Sequence, residues 1–481
     1  MSDSMTPESV RAWEDEVEIP TYPVQPPDRN PMFLEKRVYQ GSSGKVYPNP
    51  FTDRVSDQKT NRKYQAVFLE NEYVRLMMLP EIGGRIHIGQ DKTNAYDFFY
   101  RQNVIKPALV GLLGPWISGG VEFNWPQHHR PSTYMPVHWE IEESPDGSKT
   151  VWLSEHEPMH RMKGMVGICL HPGKALVEAK VRLYNRTPLT QTFLWWANVG
   201  IRVHDQYQAF FPPDVTFVAD HAKRAMSSFP LARNFYYDVD YRRGVDISWY
   251  KNIPVPTSYM VTQSQYDFFG GYDYAAEAGV VHVANRFIAP GKKLWTWGNG
   301  DFGYAWDREL TDSDGPYIEL MAGVYTDNQP DFSWLLPYET KAFSQYWYPI
   351  QKIGPAKNAN QRIAINLEEE DGAVRIGACV TESFRELQVV LSSGDRILSE
   401  TTTDILPGEP LLTSLIIATP AHPLTLRVLT ADGEELIAWT NQRVTPSEHI
   451  PEPAKEPASP DEIQTVEELY ITGLQIGRAH V

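Results

Sequence analysis

Residues 192–203, TFLWWANVGIRV, indicate the fold class, because they form a long run of aromatic and β-branched residues. Such residues favour strands, and a continuous apolar run of this kind is typical of a strand buried in a sheet. Similar runs recur on both sides of it, among them KYQAVFLEN (63–71), KTVWLSEH (149–156) and ALVEAKVRLYN (175–185). Gly, Pro, Asn and Asp separate these runs, and long helical periodicity is nearly absent. The pattern predicts an all-β fold of antiparallel sandwich or barrel architecture.

The chain changes character along its length. With 481 residues it exceeds one ordinary domain, so we expect several units. A Pro-rich extended arm (1–30) precedes a large β-sandwich (31–355). Cleanly alternating runs then predict a small immunoglobulin-like sandwich with a packing role (360–446). A Pro- and Glu-rich linker (447–462) leads to the start of a helix (463–474).

The last seven residues, QIGRAHV (475–481), resemble the in-frame translation of a common sequencing-adapter sequence. We expect them to be an assembly artefact that packs against nothing, and the natural protein to continue past this point. A genuine C-terminus is the alternative.

Charge and composition limit the function. The formal net charge of −17 disfavours nucleic acid and anionic membranes as partners, and no run approaches the ~20 apolar residues of a membrane span. An acidic N-terminus and only two, widely separated cysteines predict a cytoplasmic protein without a disulfide framework. The 14 Trp and 25 Tyr suit the flat faces of sugars, although β proteins favour aromatic residues in any case.

The segment GPWISGGVEFNWPQHHRP (114–131) has an unusual density of polar and aromatic groups. Strand alternation puts Glu122 and Asn124 on one face, and Trp125, His128 and His129 follow closely. We expect this segment to line a site, because loops on rigid scaffolds often carry function. The two histidines lack a third ligand at a recognisable spacing, so we predict neither a metal site nor a cofactor.

Three other segments supply candidate groups. Gly83 and Gly84 form a turn that delivers Arg85 to the next strand, where its guanidinium can donate to sugar hydroxyls. Asn198 lies inside the apolar run at 192–203 and needs a polar partner. Glu319 interrupts the apolar run YIELM (317–321), so partial burial should raise its pKa and suit it to acid or base work.

The stretch GPYIELMAGVYTDNQPDFSWLLPYE (315–339) resembles the C-terminal motif of galactose mutarotases, the aldose 1-epimerases. Glu319 matches the catalytic base of that family, and Asp327 to Pro330 match its Asp-X-X-Asn-Gln-Pro stretch. GGVEFNWPQHHRP, FGGYD and WTWGNGDFG further resemble a bacterial domain of uncharacterised function in the mutarotase-like clan. In that family, tetratricopeptide repeats commonly follow the sandwich. The resemblance therefore implies a mutarotase-like sandwich and protein-interaction repeats beyond the helix.

One departure from the mutarotases weakens a direct transfer of mechanism. Asn198 lies near the position of the histidine that protonates the ring oxygen in that family, and an amide cannot act as an acid. His204, His128 or His129 can substitute for it from another position. Glu122 instead offers the second carboxylate that glycoside hydrolysis requires.

These observations lead to one leading hypothesis and three alternatives. The leading hypothesis is a glycoside hydrolase with Glu319 as base or nucleophile and Glu122 as general acid. The sugar would be held by the following residues: Arg85, Trp125, His128, His129, Asn198, His204, Asp273 and Trp297. The alternatives are an aldose epimerase that uses Glu319 and a histidine, a carbohydrate-binding domain coupled to a protein partner through the repeats, and a purely structural module.

Overall fold

The computed structural model describes residues 9–30, 46–127, 129–221, 225–325, 333–370, 372–417, 422–441, 450–453 and 458–479. Over these residues the chain is built from strands, and every pairing between named strands is antiparallel. The predicted all-β class is confirmed.

The strands up to residue 351 are, in chain order, β1 (Arg11–Thr21), β2 (Thr60–Glu70), β3 (Val74–Leu79), β4 (Arg85–Asp91), β5 (Tyr96–Phe99), β6 (Ala108–Gly111), β7 (Gly114–Trp116), β8 (Val121–Asn124), β9 (His138–Glu143), β10 (Lys149–Glu157), β11 (Met162–Leu170), β12 (Val177–Tyr184), β13 (Gln191–Phe193), β14 (Trp195–Arg202), β15 (Tyr207–Phe210), β16 (Phe217–Ala219), β17 (Met226–Ser228), β18 (Leu231–Ala232), β19 (Phe235–Tyr236), β20 (Val239–Asp240), β21 (Val245–Asp246), β22 (Thr257–Val261), β23 (Phe268–Asp273), β24 (Ala278–Val283), β25 (Gly291–Thr296), β26 (Tyr317–Val324), β27 (Ser333–Leu335) and β28 (Thr340–Gln351).

The strands that follow are β29 (Asn358–Ala359), β30 (Ile363–Glu370), β31 (Ala373–Val380), β32 (Phe384–Ser393), β33 (Arg396–Ile405), β34 (Leu411–Ile416), β35 (Leu424–Leu429) and β36 (Glu435–Thr440). The described α-helices are α1 (Asp301–Leu310) and α2 (Val466–Ala479), and two short 3-10 helices span Tyr250–Asn252 and Pro460–Glu462. Neither α-helix is long and apolar enough to cross a membrane.

Two large sheets form the main sandwich. The first has twelve strands in the order β1-β2-β3-β4-β8-β14-β26-β25-β22-β16-β17, with β5 paired to β4. The second has eight, in the order β15-β23-β24-β28-β12-β11-β10-β9. A continuous apolar core joins their facing sides, with Val121, Val199 and Leu320 from the first sheet and Ile168 and Val177 from the second. Because side chains alternate along a strand, the neighbours of the first three point to the opposite face of the twelve-stranded sheet.

The segment after residue 357 forms two four-stranded sheets, β29-β30-β31-β34 and β33-β32-β35-β36. They enclose a separate apolar core that includes Ile365, Leu391 and Leu426. A second cluster joins this unit to the main sandwich, with Tyr348 and Ile350 on one side and Ala364 and Cys379 on the other. The small sandwich therefore packs directly on the large one.

The N-terminal arm and the last helix differ in detail from expectation. All eleven residues of β1 pair with β2, because Trp13 stacks on Phe68 at 5.0 Å and Ile19 is buried beside Tyr64. The abundance of Pro and acidic residues at 1–30 conceals this strand in the sequence. Helix α2 continues through residues 475–479, so the backbone of most of the suspected artefact is helical.

Candidate functional site

Polar side chains line up across the outer face of the twelve-stranded sheet. Glu122 on β8 pairs with Asn198 on β14, and Gly200, two residues further along β14, pairs with Glu319 on β26. Residues two apart share a face, so Glu122, Asn198 and Glu319 all point away from the core. The structure therefore brings these three sequence-predicted residues together on one surface.

A glycine turn sets Arg85 beside Glu122. Gly120 has a φ of +59°, and a Cβ there would lie 2.0 Å from the carbonyl oxygen of Ile86, so only glycine fits. This close approach lets Val121 pair with Ile86, which places Glu122 next to Arg85 on β4. Arg85 Nη1 donates to the carbonyl of Ile117 at 2.6 Å. Within the described part of the chain its buried Nε has no hydrogen-bond partner, and that group is suited to a ligand hydroxyl.

Glu122 is fully engaged by neighbouring donors. Its Oε1 accepts from Thr133 Oγ1 at 2.5 Å, and its Oε2 accepts from Trp116 Nε1 at 3.2 Å. His129 Nδ1 also lies 3.1 Å from Oε2. Burial would raise the pKa of Glu122, but the charges of His129 and Arg85 and these hydrogen bonds hold it well below its usual range. These contacts favour the ionised form of Glu122, which suits the general-acid role predicted for it less well than a raised pKa would.

Glu319 has the opposite electrostatic character. Burial and the nearby negative charge of Glu122 raise its pKa well above the usual range, against the attraction of His129, Lys293 and Arg85. The hydroxyl of Tyr317 lies 3.5 Å from Oε1. A buried carboxyl whose pKa is displaced toward neutrality is suited to take and return a proton.

Lys293 is a charged member of the site that the sequence analysis missed. It pairs with Met321 on β26 and is completely buried, and its ammonium lies 5.4 Å from the ring centroid of Trp196. Burial lowers the pKa of Lys293, whereas the carboxylates of Glu319 and Asp220 raise it. The detectable signal was a lysine inside the aromatic strand GKKLWTW (291–297), analogous to a glutamate inside YIELM (317–321).

Aromatic residues border Glu319. Trp295 pairs with Glu319 across β25 and β26, and its ring contacts that of Trp297 at 4.7 Å. Trp297 stacks on Trp306 of α1 at 4.2 Å, and its Nε1 donates to the Tyr317 hydroxyl at 3.3 Å. Because Trp295 and Trp297 are only half-buried, they offer flat apolar surface beside the carboxyl.

Four other sequence-predicted residues lie elsewhere or outside the described residues. Trp125 points into the core between the sheets and covers Gly164 on β11, so it does not form a wall of this site. Asp273 ends β23 in the eight-stranded sheet, where its Oδ1 accepts from the backbone of Ala275 and lies 3.0 Å from His204 Nε2. These two residues stabilise a turn. His128 and the stretch 327–330 lie outside the described residues.

Residues 42–350, well over half of the chain, match the family described as "Domain of unknown function (DUF5107)". The chain belongs to the DUF5107 family. This match confirms the resemblance to a domain family of uncharacterised function that the sequence indicated. Residues 358–439 match the description "YphG-like protein, second domain".

Solved structures similar to this DUF5107 chain include a TPR-domain containing protein from Parabacteroides distasonis ATCC 8503, with 23% identity and a TM-score of 0.61. The match covers 71% of this chain and 56% of that one, so the chain spans little more than half of its length. A galactose mutarotase-like protein from Clostridium acetobutylicum matches with 10% identity and a TM-score of 0.41 over 60% of this chain and 96% of that one. Another, from Lactobacillus casei ATCC 334, matches with 10% identity and a TM-score of 0.39 over 59% and 100%.

Proposed function

We propose that this DUF5107 chain is an aldose 1-epimerase-type enzyme that exchanges the anomers of a free sugar, with Glu319 as base and His129 as acid. The observation that carries the proposal is the opposite environment of the two glutamates. The pKa of Glu319 is raised toward neutrality. The pKa of Glu122 is lowered, and this carboxylate lies beside His129 Nδ1. Such a division assigns proton transfer to Glu319 and the positioning of the imidazole to Glu122.

The reaction needs one proton acceptor and one proton donor on a single ring. Ionised Glu319 removes the proton of the anomeric hydroxyl while protonated His129 donates to the ring oxygen, and the bond between C1 and that oxygen breaks. Rotation about C1–C2 of the open-chain aldehyde and reversal of both proton transfers give the other anomer. Each positioned group of this kind contributes roughly 10²–10⁴-fold to the rate.

The other residues on this face support the binding of a sugar ring. Arg85 offers a buried Nε that has no hydrogen-bond partner among the described residues, while Trp295 and Trp297 provide half-buried apolar faces. Sugars combine hydroxyl groups with apolar C–H faces, so a surface of donors beside tryptophans suits them.

Glycoside hydrolysis, the leading hypothesis from the sequence, fits this environment less well. It requires a second carboxyl that protonates the leaving group or activates water. Both oxygens of Glu122 already accept hydrogen bonds, from Thr133 and from Trp116, and the group stays ionised. Glu122 is therefore better suited to orienting His129 than to either role.

Anomer exchange on a panel of free aldoses tests the proposal. Freshly dissolved single anomers are followed by polarimetry or NMR with the parent protein, Glu319→Gln, His129→Asn and the control Glu140→Gln, whose side chain is exposed on β9. We expect the first two variants to lose at least ~10²-fold in rate and the control to match the parent. Release of reducing ends from oligosaccharides without anomer exchange would instead support hydrolysis, and sugar binding without turnover would support a binding domain.

A further inference from the structure

A second cluster of reactive side chains lies on the eight-stranded sheet, remote from the glutamates. Cys169 on β11 pairs directly with Glu178 on β12, and His171 lies in the turn that joins the two strands. Their neighbours Ile168 and Val177 point into the core between the sheets, so Cys169 and Glu178 occupy the outer face. The two faces that carry the clusters are thus separated by the whole thickness of the core.

The three side chains converge on one point. Cys169 Sγ lies 3.6 Å from His171 Nε2, which in turn lies 3.1 Å from Glu178 Oε2, and all three atoms lie within 4.8 Å of one another. Tetrahedral zinc with bonds of about 2.3 Å to sulfur and about 2.0–2.1 Å to nitrogen or oxygen separates its ligand atoms by roughly 3.4–3.6 Å. The spacing therefore matches a zinc coordination sphere with little movement of the side chains.

Neighbouring groups hold the three donors in place. Glu178 Oε1 accepts from Ser344 Oγ at 2.6 Å, which leaves Oε2 directed at His171. The other ring nitrogen of His171 lies 3.9 Å from Asp146 Oδ2. Asn71 Nδ2 donates to the His171 carbonyl at 2.8 Å and fixes the turn. A hydrogen bond to the ligating carboxylate, such as that from Ser344, is a usual outer contact of zinc sites.

We propose that Cys169, His171 and Glu178 bind a Zn²⁺ ion, with water as the fourth ligand. Thiolate, imidazole and carboxylate together suit zinc better than Mg²⁺ or Ca²⁺, which prefer oxygen ligands alone. A thiolate and a carboxylate balance the charge of the ion. The ammonium of Lys180, on the same face, donates a hydrogen bond to Thr150 Oγ1 at 3.3 Å, so it has a partner other than the proposed zinc ligands. Cys169 is fully buried and His171 only partly, so the ion would enter past the imidazole.

Cobalt substitution tests the site, because thiolate bound to Co²⁺ gives a charge-transfer band in the near ultraviolet. The chain contains two cysteines, both buried and free, so Cys379→Ser is a matched control for Cys169→Ser. We expect the tag-free, chelator-treated full chain to bind about one Co²⁺ with this band, and Zn²⁺ to displace it. Cys379→Ser should keep the band, Cys169→Ser should abolish it, and Glu178→Gln should weaken cobalt binding at least ~10-fold.

Two results would overturn the proposal. One is a parent protein that shows no charge-transfer band at saturating Co²⁺. The other is a band that survives in Cys169→Ser and disappears in Cys379→Ser. If Cys169→Ser does not fold, as judged by circular dichroism, Glu178→Gln and His171→Asn decide, because cobalt affinity equal to that of the parent in both variants excludes the site.

Discussion

His129 Nδ1 lies 3.1 Å from Glu122 Oε2, and Glu122 is 3% exposed. This contact holds the imidazole of His129 against a buried anion. The arrangement resembles other sites in which a buried carboxylate orients a histidine. It also explains why a glutamate that belongs to the site need not exchange protons itself.

The first prediction concerns the dependence of activity on pH. Glu319 must be ionised to act as a base, and its pKa is raised, so activity should fall with decreasing pH well above the ordinary range of a glutamate. The groups that act on it are Arg85, Glu122, His129 and Lys293. The positive charge of Lys293 lowers the pKa of Glu319. Lys293→Met removes that charge, so the acidic limb of the pH profile of kcat/KM should move to higher pH.

A neighbouring lysine provides the control for this shift. Lys292 precedes Lys293 on β25, and it pairs with Ala322, which belongs to the core between the sheets. Lys292→Met should therefore leave the position of the acidic limb unchanged, provided that the variant folds. Equal shifts in both variants would show that the net charge of the protein, and not the charge of Lys293 near Glu319, determines the pH profile.

The second prediction concerns the stability that Glu122 provides. Its pKa is lower in the folded protein than in the unfolded chain, so its contribution is present above the unfolded value of 4.5 and is lost as the pH falls. Glu122→Gln removes a buried negative charge that offsets the buried charge of Arg85, and should lower the free energy of unfolding by about 3 kcal/mol at pH 7. The difference in the free energy of unfolding between the parent and Glu122→Gln should narrow below pH ~4.5.

Urea denaturation between pH 7 and pH 3 measures this difference, with Glu140→Gln as the exposed control. A gap between parent and Glu122→Gln that stays constant over the whole range would mean that the ionisation of Glu122 contributes nothing.

The third prediction concerns the aromatic border of the site. Trp297→Phe keeps an apolar ring but removes the indole N–H that donates to the Tyr317 hydroxyl at 3.3 Å. We expect KM for the sugar to rise several-fold with a smaller change in kcat, because the residue contacts the substrate without exchanging a proton. Trp439→Phe in the small sandwich is the matched control. An unchanged KM in Trp297→Phe would place the sugar away from this wall.

The sequence predicted the all-β class correctly, because strand signals are a local property of the chain. The same alternation put Glu122 and Asn124 on one face of their strand. The resemblance to mutarotases then singled out Glu319. Local patterns do not reveal how distant strands pair. That pairing brings Lys293 and Arg85 close enough for their charges to lower the pKa of Glu319.

Trp125 and the cluster of Cys169, His171 and Glu178 illustrate the same limit. Trp125 follows Asn124 at the end of β8, and its ring turns to the core side, where Gly164 leaves space for it. The sequence gives no indication that this glycine lies opposite. Cys169 and Glu178 are nine positions apart, and only the antiparallel register of β11 and β12 makes them neighbours. A search for metal ligands by sequence spacing therefore passes over them.

The last prediction tests the packing of Trp125 directly. A Cβ on Gly164 would lie 2.2 Å from Cε2 and Nε1 of the Trp125 indole, closer than any real contact. Gly164→Ala should therefore push the ring out of the core and lower the free energy of unfolding by about 1–3 kcal/mol. Gly473→Ala on α2 is the control, because nothing described lies within 4 Å of its Cβ position and alanine favours a helix. Thermal and urea denaturation measure both variants. A Gly164→Ala protein as stable as the parent would show that Trp125 has room to move, and its placement in the core would then need revision.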